Sequence, residues 1–149
     1  MFFTGFTRFS SDVQKANAGT KETQEAKEKR YLKMLSLVDK AEQILTDKTT
    51  NLDNFGRLLD HTWKLKKQTG SAVSTNSIDA LYEKGIQAGA LGGKLLGAGG
   101  GGFLVFYVQP EYQEAVKEAM KELMYIPFRF EDGGTRVIHY TPEAYEPNA

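Results

Sequence analysis

The sequence predicts an α+β domain: an antiparallel sheet of about four or five strands with its helices packed on one side. Three observations predict it. Aromatic and β-branched runs stand near both ends of the chain, at Phe2 to Thr7 and between Ile126 and Tyr140. Between Thr20 and Ala88 three amphipathic helical stretches follow one another. A strand, a glycine-rich loop and a second strand then run from Gly92 to Val108.

In chain order, Phe2 to Thr7 reads as a strand ended by Ser10-Ser11-Asp12. Ser11 and Gln14 have the spacing of a capping box, so a helix is expected from there to Ala18-Gly19. Thr20 to Leu45 is helical in pattern, with Tyr31, Met34, Leu35, Val38, Ala41 and Leu45 expected on its inward face. Its mixed charges read as a solvated face.

Thr50 with Asp53 suggests a second cap, opening a helix whose stripe is Leu52, Phe55, Leu59 and Trp63. Trp63 is a core residue on this reading. Asn76 with Asp79 suggests a third cap, for a helix from Ser77 to Ala88 closed by Gly89. After the strands Gly92 to Leu96 and Phe103 to Val108, Pro110 suits a helix start, with Ala115, Ala119 and Leu123 carrying it to Met124. Two further strands are expected at Ile126 to Phe130 and Thr135 to Tyr140, joined by a turn at Glu131-Asp132-Gly133-Gly134.

Composition narrows the function. The 149 residues suit one domain, and 19 basic against 19 acidic side chains leave no net field to draw in nucleic acid or an anionic membrane. The absence of cysteine excludes a disulfide framework, a thiolate metal site and a cysteine nucleophile, and agrees with a cytoplasmic setting. The first residues lack the basic start and cleavage site of a signal peptide, and no run reaches the ~20 apolar residues of a membrane span. A strand-like start with no lead-in suggests a fragment or a separately expressed lobe.

Nine of the 15 glycines fall between Gly85 and Gly102, so that segment needs a local explanation. The run Gly97-Ala98-Gly99-Gly100-Gly101-Gly102 is expected where something approaches the backbone closely. Phosphate held by successive N–H groups is one reading, and a hairpin packed tightly against neighbouring structure is the other. Gly97, Gly99 and Gly102 fit the dinucleotide fingerprint, but that motif needs a helix after it, and Phe103 to Val108 reads as a strand. A Walker loop fails because Leu95 follows Gly93-Lys94 where Ser or Thr is required. Protein-kinase signatures are absent from the rest of the chain.

The segment Gly92-Gly93-Lys94-Leu95-Leu96-Gly97-Ala98-Gly99-Gly100-Gly101-Gly102-Phe103 resembles the third motif of the GHMP kinases, named for galactokinase, homoserine, mevalonate and phosphomevalonate kinases. The resemblance extends to Trp63-Lys64-Leu65-Lys66-Lys67, to Ile78-Asp79-Ala80-Leu81-Tyr82 before Ala88-Gly89-Ala90, and to Pro127-Phe128-Arg129-Phe130. Phe3-Thr4-Gly5-Phe6-Thr7-Arg8 with Ser10-Ser11-Asp12 is most similar to the sugar-phosphate branch that contains heptose-phosphate kinases.

The resemblance implies that residues 1–149 form the family's C-terminal domain, a ferredoxin-like sandwich. It implies transfer of the ATP γ-phosphoryl group, with Mg2+, to a hydroxyl of a small sugar phosphate. The family's nucleotide loop, of the form P-x-x-x-G-L-G-S-S, is absent here. An N-terminal domain is therefore the expected partner, catalytic residues are expected in it, and the isolated chain is expected to be inactive. Gly97, Ala98, Gly99, Gly100, Gly101 and Gly102 carry over by position as the phosphate and substrate loop in the cleft between lobes.

Arg8 is a candidate for paired bonds to a sugar phosphate, or a surface arginine ending a strand. Lys66 and Lys67 are candidates for an anionic substrate, or cations favoured at a helix C-terminus. His61 and His139 lack a second ligand at metal-binding spacing, so no metal site is expected. Ser10, Ser11 and Asp12 read as a cap with no histidine beside them. The alternative function is a non-catalytic small-ligand-binding or regulatory module, which the same architecture suits. A lobe built to meet another leaves apolar surface uncovered, and a homodimer through that face is a further expectation.

Overall fold

Two phenylalanines hold the middle of the sheet. In the computed structural model, which describes residues 1–6, 23–97 and 99–140, β1 (Phe2–Phe3) lies between β3 (Phe103–Val108) and β4 (Met124–Tyr125). Strand β2 (Ala90–Leu96) pairs with the outer side of β3. All neighbours run antiparallel, with Phe2 opposite Leu104 and Leu95 opposite the same Leu104. The helices are α1 (Gln24–Thr46), α2 (Asp53–Lys67), α3 (Asn76–Gln87) and α4 (Gln113–Ala119), the last preceded by a 3-10 turn, Pro110–Tyr112. Strand, helices, two strands, helix, strand is the ferredoxin-like connectivity that the family resemblance implies.

Side chains alternate along a strand, so Phe2, Leu95 and Leu104 share one face. That face meets Ile78 and Tyr82 of α3, Val116 of α4 and the adjoining Met120, and all seven are buried. Trp63 of α2 and Val73 of the α2–α3 connection complete the cluster. Each large apolar side chain buried there contributes about 1.5–3 kcal/mol relative to exposure. Trp63 is core, as its stripe predicted, although its indole N–H has no acceptor among the described residues.

The exposed edge of β2 is covered by α2. A Cβ on Gly92 would run into the Gly56 carbonyl, so both glycines are required for the helix backbone to come this close. The Tyr82 hydroxyl and Asp60 meet at the same edge, 2.9 Å apart.

Several local expectations change. Helix α1 is capped by Thr23, whose Oγ1 accepts from the Ala26 N–H. Its packed side carries Met34, Leu37, Ala41 and Ile44, whereas Tyr31, Leu35, Val38 and Leu45 are each more than half exposed. Asn51, not Thr50, holds the start of α2 by accepting from the Asp53 N–H at 2.8 Å. Thr75, not Asn76, caps α3 through the Ile78 N–H, and Gly89 ends it at φ +111° as expected.

The helix expected to reach Met124 stops at Ala119, and the strands expected at residues 126–130 and 135–140 do not form. Ile126 still donates to the Met1 carbonyl at 2.8 Å, but Pro127 has no N–H, so the ladder ends there. Phe130 and Ile138 are at least 90% exposed, which removes them from the core. The helix expected from Ser11 lies outside the described residues, as does Thr7 at the end of the first expected strand. No helix among the described residues is long and apolar enough to cross a membrane.

Candidate functional site at the glycine loop

The loop begins where β2 ends at Leu96 and returns to the sheet at Phe103, directly opposite. Gly97, Gly99, Gly100 and Gly102 all have positive φ, between +72° and +118°, a conformation that disfavours any side chain. Ala98 lies outside the described residues.

Two backbone segments clamp this loop. On one side Gly100 donates its N–H to the Val73 carbonyl at 3.0 Å, and a Cβ on Gly99 would lie 2.8 Å from the Val73 Cα. On the other, Gly102 donates to the Phe6 carbonyl at 2.8 Å, and a Cβ on Gly101 would strike the same carbonyl. Thr4 adds two bonds to the Gly102 carbonyl, from its N–H and its Oγ1, both at 2.9 Å.

The close approach that the glycines permit is therefore made by the protein's own backbone. Of the two readings of the run, tight packing accounts for Gly99 and Gly101, while Gly100 and Gly102 have already committed their N–H groups. A phosphate cradle built from those two amides is ruled out in this conformation.

The lysines of α2 divide into two kinds. Lys67 donates to Asp79 of α3 at 2.9 Å, and Ser74 donates to the same oxygen at 3.0 Å. Lys67 is thus occupied in tying the end of α2 to the first turn of α3, across the connection that carries Val73. Lys66 turns to the loop instead and donates to the Gly97 carbonyl at 3.0 Å. Burial holds the Lys66 ammonium below the usual lysine pKa, and the charge of Lys94 on β2 lowers it further.

At β2, Tyr82 donates to Asp60 Oδ1 while Lys64 Nζ contacts Asp60 Oδ2 at 2.7 Å. Burial raises the Tyr82 phenol well above its ordinary pKa, Asp60 reinforces the rise, and the Gly93 N–H opposes it. This group is a scaffold: it joins α2, α3 and β2.

Arg8, Ser10, Ser11 and Asp12 lie outside the described residues. His61 borders a hollow of about 570 Å³ between α1 and α2, which does not touch the loop, and His139 lies in the exposed C-terminal stretch. Sequence reasoning missed Val73, Phe6 and Thr4, whose backbone roles leave no residue-type signature. It also missed Lys94, although alternation along β2 puts Lys94 on the same face as Leu96 at the foot of the loop.

Residues 40–126 match the family profile described as GHMP kinases C terminal. The chain belongs to the GHMP kinase family. The match begins within α1, takes in the glycine loop and closes one residue after β4.

Among relatives, the D-glycero-alpha-D-manno-heptose 7-phosphate kinase of Campylobacter jejuni is 26% identical over 91% of this chain and 40% of its own length. Mevalonate kinase of Thermococcus sibiricus is 38% identical over 57% of this chain and 26% of its own length, and that of Thermococcus gammatolerans 32% over 78% and 36%. The chain thus spans well under half of these GHMP relatives. A solved structure of L. major mevalonate kinase with R-mevalonate shares the fold, with TM-score 0.67 and 24% identity over 81% of this chain and 36% of that one.

Kinases of the GHMP family use ATP and Mg2+. Among the described residues no three carboxylates or histidines converge.

Proposed function

We propose that this chain is the C-terminal lobe of an ATP-dependent sugar-phosphate kinase, with a heptose phosphate as acceptor, and that an N-terminal nucleotide-binding lobe of the same protein completes it. The observation that carries the choice of acceptor is the reach of the Campylobacter likeness. It extends over 91% of the chain, beyond the segment that matches the family profile, whereas the two Thermococcus mevalonate kinases match at higher identity over 57% and 78%.

In this reading the Gly97 to Gly102 loop forms one wall of the cleft between lobes. Its role is positional: clamped by Val73 and Phe6, its glycines hold a fixed backbone against which the acceptor and the transferring phosphoryl group are aligned. ATP with Mg2+ supplies the activated phosphoryl group and neutralises its charge. The chain's own contribution is to hold the loop, to bring Lys66 to its first residue, and to leave the triphosphate to the other lobe.

The test is a panel of acceptors offered with ATP to the polypeptide that carries the nucleotide lobe upstream of Met1. Heptose phosphates are expected to outpace unphosphorylated sugars and mevalonate in ADP release. Preferred turnover of mevalonate, or of free galactose or fucose, would reassign the acceptor. A stop codon directly before Met1 would favour a non-catalytic ligand-binding module.

A further inference from the structure

Two lysines border the glycine loop, and neither has an ion-pair partner among the described residues. Lys66 Nζ is fixed on the Gly97 carbonyl at 3.0 Å, and Lys94 enters from β2 near enough for its charge to act on Lys66. Among the described residues neither forms an ion pair, whereas Lys64 and Lys67 on the same helix are matched to Asp60 and Asp79. Two like charges, one of them desolvated, oppose each other unless an anion lies between them.

Two of the loop's backbone N–H groups are already committed, because Gly100 and Gly102 donate to Val73 and Phe6. Lys66 spends one of its three N–H donors on Gly97, which leaves two for a ligand. Lys94 pairs across the sheet with Val105, shares its face with Leu96 and is half-buried.

We propose that Lys66 and Lys94 form the receptor for the phosphate monoester already present on the acceptor, holding a sugar phosphate at the entrance of the Gly97 to Gly102 loop. The proposal rests on the kinase-lobe reading for its choice of acceptor, and on the two lysines alone for its anion. It assigns selectivity for phosphorylated over free sugars to side chains of this lobe. The ammonium pair compensates a dianion, and the fixed Lys66 sets its distance from the loop.

The experiment is a titration of the 149-residue chain, followed by the 13Cε resonances of its lysines, with glucose 6-phosphate, glucose, inorganic phosphate and ATP as separate ligands. Glucose 6-phosphate is expected to shift Lys66 and Lys94 saturably, glucose to shift neither, and inorganic phosphate to shift both more weakly. Lys66→Met and Lys94→Met should each weaken glucose 6-phosphate binding at least tenfold, while Lys64→Met leaves it within twofold. The spectra also report whether each variant is folded, and Lys94→Met stands in if Lys66→Met is not.

Uniform shifts across all lysines, or unchanged binding in the folded variants, would overturn the site. Tighter binding of ATP than of glucose 6-phosphate at the same two lysines would overturn the acceptor assignment and make this a nucleotide phosphate site. A kinase that turns over no sugar phosphate, yet whose lysine pair binds phosphate, would instead have failed the functional reading above.

Discussion

Gly99 lies against Val73 so closely that a Cβ there would come within 2.8 Å of both the Val73 Cα and its carbonyl oxygen. The contact is backbone to backbone, so neither side can swing away as a flexible side chain would. Val73 itself is fully buried in the core cluster, which makes the α2–α3 connection the rigid member of the pair.

Gly99→Ala combines this clash with a φ of +118°. Overpacking costs about 1–3 kcal/mol and the wrong-handed backbone roughly 1–2 more. A loss of about 3 kcal/mol in urea unfolding is expected. Gly97→Ala shares the positive φ but meets open space, so it should lose only about 1–2 kcal/mol. Equal losses at the two positions would show that conformation alone, not packing against Val73, selects these glycines.

Tyr82 makes a pH prediction. Its folded pKa lies above the unfolded value of 10.0, because burial and Asp60 both disfavour the phenolate. The folded state keeps the proton where the unfolded state sheds it, so this contribution is complete below about pH 10 and fades as pH rises beyond that. Tyr82→Phe should flatten the alkaline decline and cost about 1–2 kcal/mol at neutral pH for the lost bond to a charged acceptor. Lys66 acts with the opposite sign, gaining stability as pH rises toward 10.5, so the comparison must be between wild type and Tyr82→Phe. Parallel alkaline profiles for the two proteins would refute the assignment.

Asp79 receives both Lys67 and Ser74, but it is 41% exposed, so the ion pair is screened. Asp79→Ala should cost only about 0.5–1 kcal/mol overall. Its larger effect is expected locally, since the same residues steady the connection that bears Val73. Faster hydrogen exchange at the Gly100 amide, which bonds to Val73, is the expected readout, with exchange in β3 unchanged. Unaltered Gly100 exchange would mean that the core alone positions Val73.

How far the sequence disclosed this fold depends on what each element asks of its neighbours. Strand β2, the loop and β3 were legible because β-type runs flank glycines that nothing local explains. Helix α3 was legible from its closing Gly89, although Thr75 rather than Asn76 caps it. In α1 two stripes one residue apart are both apolar, and only contact with α2 chooses Met34, Leu37, Ala41 and Ile44 over Tyr31, Leu35, Val38 and Leu45. The residues past Ile126 have strand composition but no strand to join once Pro127 breaks the ladder.

The site was legible in position and only partly in cause. Gly97 to Gly102 and Lys66 do come together, but the cradle expected for phosphate is in large part a seat for Val73 and Phe6. Lys67 is a tie to Asp79 rather than an open cation. Such distinctions depend on partners 12 and 31 residues away in the chain, which composition and periodicity do not encode.

Phosphoryl transfer by one lobe or by two is the most direct test. ADP release with a heptose phosphate and ATP·Mg2+ is measured for residues 1–149 alone and for the polypeptide that includes the upstream nucleotide lobe, at equal concentration. Turnover is expected from the longer polypeptide only, with residues 1–149 at background. Turnover by the 149 residues alone, or none by a folded longer polypeptide with any phosphorylated sugar, would contradict the reading of this chain as half of a sugar-phosphate kinase.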